Sequence, residues 1–251
     1  MKTPSSDPEP VIARMHIRLR QWQEASDDRA FFLNCYLLMT RNMYVAIQQR
    51  EFVDSAWVSR LLTHFAEYYF SALQKYEDNS AATPEVWRHA FDKTRDPYLT
   101  PLQKLLLGVN AHINYDLVLT LVDILRPEWE NLTDIQRVWR YADHYHVNEI
   151  IGRTIDTVQD RVLEPAMPIL ELIDRVLGNI DENLIIHLIT RWRESVWLNT
   201  LHLLEADPIK VKHELIRGVE SEALQNAELI CGIARPPAQK GGSTAAEPGH
   251  K

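Results

Sequence analysis

Glycine is scarce in this chain, eight in 251 residues. That excludes collagen-like and glycine-rich architectures and disfavours turn-dense β folds, since little of the chain can take the left-handed backbone that tight turns need. Cysteine is scarcer still: Cys35 and Cys231 alone. Each sits in an apolar run, with no CxxC and no Cys/His zinc spacing, so two buried thiols of a cytoplasmic protein are expected rather than a disulfide framework. Basic residues are outnumbered, 27 Lys and Arg against 35 Asp and Glu, for a net charge of −8. No basic face or aromatic–basic motif is present, which argues against nucleic acid as a partner. No uninterrupted apolar run approaches the ~20 residues of a membrane span. The longest candidate, residues 101–125, is broken by Gln103, Lys104, Asn110, His112, Asn114, Asp116 and Asp123. The first ten residues, MKTPSSDPEP, hold no apolar stretch of a secretory signal. GxxxxGK[ST], GxGxxG, GxSxG and HExxH are all missing, which excludes the standard phosphate-loop, nucleophile-elbow and zincin routes.

What the chain does contain is helix. Apolar residues make up 45% and charged residues 25%, ordinary values for one globular core. Residues 1–9 read as a flexible arm and 235–251, RPPAQKGGSTAAEPGHK, as a disordered tail. Between them, residues 10–234 read as a single all-α domain, a bundle of about eight or nine helices with no period-2 strand. Start signals are clear in places. Asp54 or Ser55 caps a helix running to about 76, Thr83-Pro84 opens one ending near 95, and Thr100-Pro101 opens one running to 125. Thr133 starts a helix to about 163, Pro165 and Pro168 mark one to 178, and Asp181 and Pro208 precede the last two.

The helix from residue 101 to 125 is apolar on every side, the mark of a central buried element. Its middle nevertheless reads Asn110-Ala-His112-Ile-Asn114-Tyr-Asp116. At 100° per residue Asn110 and Asn114 share one face, while His112, Asp116 and Asp123 share roughly the opposite one. Buried polar groups left unpaired cost about 1–3 kcal/mol each, so Asn110, His112, Asn114 and Asp116 either bond one another or line a cavity. Two readings follow. In one, they form a structural network with Asp116 fixing the His112 tautomer. In the other, His112 and Asp116 are the catalytic or ligand-binding centre of a site in the bundle core.

The same segment carries a resemblance. Residues 105–117, LLLGVNAHINYDL, resemble the signature of a bacterial family of uncharacterised all-helical proteins, a domain of unknown function. Trp87 with Phe91, Asp143 with Asn148, and Arg193 with Trp197 are similar flanking features, and the likeness spans about residues 45–205. It implies a helical domain with Asn110, His112, Asn114 and Asp116 among its characteristic residues, and it implies no reaction.

Further candidates lie on neighbouring helices. Asp143 and His146 are three apart, the spacing of carboxylate-x-x-His pairs in di-metal bundles, although the full ligand set of such a centre is lacking. His64 and Tyr68 share a helix face. With His112, Asp116, Asp143, His146 and His64 as ligands, the cofactor would be a divalent metal. Asn110, Asn114 and Tyr68 are the candidate ligand-binding residues. Arg193, four before Trp197, either lays its stem on that ring or turns inward, to pair with Asp116 or Asp143 or to bind an anionic ligand. The functional expectation is an enzyme or binder for a small molecule, using acid–base chemistry or metal-assisted hydrolysis at His112 and Asp116. The alternative is a non-catalytic scaffold or partner-binding domain.

Overall fold

A computed structural model of the chain describes residues 8–160, 182–206 and 211–232. These residues are all-helical, with no strand among them: α1 (Glu9–Glu24), α2 (Ala30–Gln48), α3 (Ser55–Glu77), α4 (Glu85–Lys93), α5 (Pro101–Ala111), α6 (Leu117–Leu125), α7 (Asp134–Asp160), α8 (Glu182–Glu205) and α9 (Val211–Gly232). The expected helix at 165–178 and the expected tail lie outside the described residues. Pro8 is already buried as the N-cap of α1, so the fold begins within the stretch expected to be an arm.

Helix starts follow the sequence signals. The Asp54 carboxylate accepts the Trp57 amide at 2.9 Å. Thr100 and Gln103 form a reciprocal capping box, with Pro101 at the first helical position. At α4 the expected cap shifts by one residue. Pro84 is the N-cap, and the Thr83 hydroxyl instead donates to the Ser80 carbonyl at 2.8 Å.

Helix ends explain how the chain manages with so little glycine. α1, α2 and α3 each close on a left-handed residue that is not glycine: Ser26 (φ 51°), Arg50 (φ 57°) and Asn79 (φ 52°). In each case the following amide reaches back to the third-last helical carbonyl: Asp27 to Trp22 at 2.8 Å, Glu51 to Ala46 at 3.1 Å, Ser80 to Lys75 at 2.8 Å. These are Schellman closures, which satisfy carbonyls the helix leaves open.

α5 and α6 are halves of one helix joined by a π-turn over His112–Asp116, in which the Leu117 amide bonds the His112 carbonyl. This composite helix is central. α5 packs on α2, α4 and α9, the π-turn touches α3, α8 and α9, and α6 packs on α3 and α8. Pro101–Leu125 has the length and composition of a membrane-crossing helix, yet 83% of its apolar window is buried inside the fold. Two polar residues of its first turn are paired there: Lys104 Nζ meets Asp28 at 2.6 Å, and Gln103 Nε2 donates to the Ile230 carbonyl at 2.9 Å. Gly108 allows the closest approach. A Cβ at that position would lie 2.5 Å from Cγ and 2.7 Å from Cβ of Phe32 on α2.

Candidate functional site

A π-turn amounts to one extra residue in an α-helix, and such turns concentrate at functional sites. Here it holds His112, Asn114 and Asp116, with Asn110 in the helical turn just before it. Asn114 Nδ2 donates to Asn110 Oδ1 at 2.8 Å, and Asn110 Nδ2 donates to the Ala223 carbonyl of α9 at 2.8 Å. That pair is a hydrogen-bonded tie between the central helix and α9. On the other side His112 Nδ1 lies 2.9 Å from Asp116 Oδ2, with His112 3% and Asp116 1% exposed.

Asp116 has a third member in its cluster. Trp87, fully buried on α4, directs its indole N–H at both carboxyl oxygens, 3.0 Å from Oδ1 and 2.9 Å from Oδ2. Burial pushes the Asp116 carboxyl well above the ordinary carboxylate range, opposed only by the Trp87 hydrogen bond. Burial likewise drives His112 well below the ordinary imidazole range. Both directions favour the uncharged forms, a hydrogen bond over an ion pair. In that uncharged pair the Asp116 hydroxyl can donate to Nδ1, with the ring proton then on Nε2.

Nε2 points away from Asp116 across the five-membered ring, and it is buried without a hydrogen-bond partner. The ring is fixed on its face by Phe65 of α3, stacked at 3.6 Å between centroids and 7° from parallel. Tyr36 of α2 meets it edge-on at 4.3 Å. The Tyr36 hydroxyl also makes no hydrogen bond of good geometry; the Thr40 hydroxyl beside it donates to the Tyr36 carbonyl at 2.8 Å. His112 and Tyr36 are both in the wall of a cavity of about 160 Å³. The wall is otherwise almost wholly apolar, built from α2, α3, the central helix, α7 and α8, with Met39, Leu61, Ile113 and Ile151 among its side chains. Cys35 also lines it, its thiol raised by burial to about 11 and hence not a nucleophile at neutral pH.

The remaining candidates are not brought to His112. Asp143 accepts the Val53 and Asp54 amides at 2.7 and 2.9 Å, closing the turn before α3. His146 sits 3.5 Å from Glu51 and 3.3 Å from Glu149. His64 and the Tyr68 hydroxyl both meet Asp123, at 3.2 and 2.6 Å, on the exposed side of α3. Asp123 is exposed and pairs with α3 there, outside the buried contact of His112 with Asp116. The π-turn slips every later face by about one residue, some 100°. Among the described residues no group of three or more His, Cys, Asp or Glu side chains is arranged to hold a metal ion. The site expected from these ligands is therefore not assembled in the described part of the fold.

Arg193 turns inward. It is 5% exposed, lines the same cavity, and reaches neither Asp116 nor Asp143. Trp197, its expected stacking partner, faces the rings of Tyr141 and His144 instead.

Trp87, Tyr36 and Phe65 are the site residues that sequence reasoning missed. Trp87 left a signal: a buried indole N–H needs an acceptor, and the central helix holds one buried carboxyl. Tyr36 and Phe65 left none, because their role depends on how three helices meet.

Comparison with curated proteins and with solved structures gives no match. A family model does match, over residues 9–232. The chain accordingly belongs to the family of unknown function DUF5995.

Proposed function

We propose that this domain binds a small, mainly apolar molecule carrying one hydrogen-bonding group, held in the cavity beside His112. The observation that carries this reading is an apolar cavity lined by His112, a residue whose Nε2 is buried with no hydrogen-bond partner. An orphaned polar atom of that kind costs about 1–3 kcal/mol, which a phenylalanine in the same place would avoid. The surrounding hydrogen bonds make that nitrogen well aimed. Trp87 fixes Asp116, Asp116 fixes Nδ1, and Phe65 fixes the plane of the ring. A ligand oxygen accepting from Nε2–H would complete the set, with its apolar remainder against Ile113, Leu61 and Met39.

A scaffold role is supported by a different observation, the closed chain from Asn114 through Asn110 to Ala223. That chain accounts for the two asparagines and leaves His112 unexplained. The cavity reading is therefore the stronger.

Titration of the full chain with 1-alkanols of increasing length, followed by calorimetry, tests it. Each buried methylene is worth about 0.8 kcal/mol, roughly fourfold in affinity, so binding should tighten stepwise and level off when the cavity is full. His112→Phe should weaken alkanol binding while sparing benzene. No saturable binding at any chain length would overturn the proposal.

A further inference from the structure

The cavity contains a second polar group with an unmet need, and it is a charge. Arg193 on α8 is buried. Its guanidinium donates from Nε to Asn148 Oδ1 at 2.8 Å and from Nη2 to the His144 carbonyl at 2.5 Å, with Nη2 also 3.4 Å from His144 Nδ1. All of these partners are neutral. His144 is itself buried and held well below the ordinary imidazole range, first by burial and then by the Arg193 charge. No carboxylate lies within ion-pairing distance of Arg193 among the described residues, and Nη1 makes no hydrogen bond. Buried guanidinium groups are ordinarily paired, because their planar fork matches a carboxylate. A side chain kept here for packing alone would more cheaply be methionine or leucine.

From this we infer that the ligand of the cavity is an anion, a small monocarboxylate with an apolar body, whose carboxylate is the missing partner of Arg193. The inference rests on the cavity reading above and adds the chemical class. The chemistry of the wall agrees. Arg193 offers only donors, which suits a ligand that is all acceptor at its head. Burial lowers Arg193 to about 9, which still leaves it charged at neutral pH. The size is bounded as well. At about 160 Å³ the cavity is close to the engineered 150 Å³ cavity in another protein that holds benzene, so a body of about six carbons fits.

The test compares hexanoate with 1-hexanol by calorimetry at neutral pH, on the full chain and on Arg193→Met and Arg193→Lys. The expected result is hexanoate at least tenfold tighter than hexanol in the parent. Arg193→Met should abolish that preference while keeping hexanol binding, and Arg193→Lys should retain part of it. Hexanol binding as tightly as hexanoate in the parent would overturn the inference and leave the cavity reading standing. So would hexanoate affinity unchanged in a folded Arg193→Met. If neither probe binds the parent, both readings fall. The parent's own preference decides the matter even if both variants misfold.

Discussion

Two ionisable groups in contact and out of water are cheapest when neither is charged. Asp116 and His112 meet that condition, and the protonation it requires is measurable. A carboxyl whose native value is raised contributes stability that is fully present below the unfolded value, near 3.8, and is lost as pH rises. A histidine whose native value is lowered behaves oppositely: its contribution is present above about 6.5 and is lost as pH falls. Asp116→Asn isolates the first term, because the amide can donate to Nδ1 and accept from Trp87 as the neutral acid does. Between pH 5 and 8 the variant should gain on the parent by up to about 1.4 kcal/mol per pH unit. Denaturant unfolding of both proteins across that range checks it; a difference that stays flat would mean Asp116 is ionised in the native state. Half of this arrangement was legible in the sequence. A histidine and an aspartate four apart in an otherwise apolar helix must meet, by spacing alone. Trp87 was not placed, because it arrives from α4, and the orphaned Nε2 was not foreseen, because it follows from what α2 and α3 leave unfilled.

At the scale of elements, the legible features were those set by local chemistry. Asp54 and the Thr100–Gln103 box start their helices where hydroxyl and carboxylate caps predict. The ends were less legible, because Ser26, Arg50 and Asn79 take a conformation that glycine usually signals. Left-handed backbone costs a residue with a side chain about 1–2 kcal/mol, part of which the Schellman bonds offset. Arg50→Gly should therefore stabilise the fold by about 0.5–1 kcal/mol, read as a raised thermal midpoint. A lowered midpoint would show that the Arg50 side chain contributes more than its backbone strain removes. Gly108 works in the opposite sense. Gly108→Ala gains about 1 kcal/mol of helix propensity, but its methyl meets Phe32 at the ring root and Cβ, atoms that cannot swing aside. Overpacking of that kind costs about 1–3 kcal/mol. A net loss is expected, read as a lowered thermal midpoint; an absent loss would contradict the packing described. The π-turn was illegible for a plain reason. Projection at a constant 100° per residue assumes the regularity that the turn breaks.

For the whole molecule, the all-α class followed from composition and periodicity, and the central place of residues 101–125 followed from their apolar circumference. The cavity could not be read in the same way. Its wall comes from α2, α3, α7 and α8 as well as the central helix, and no local pattern fixes how well such surfaces close. A fold that packs Trp87, Leu107 and Leu121 without exposure yet leaves about 160 Å³ open beside a buried imidazole has room for a ligand there. The most direct test is a crystal structure of the full chain grown with 1-hexanol. The account predicts density for the alkyl chain among Phe65, Leu61 and Ile113, with the hydroxyl oxygen within about 3 Å of His112 Nε2. An empty cavity with hexanol seated in the surface cleft beside Tyr68, Tyr115 and Glu220 would contradict it.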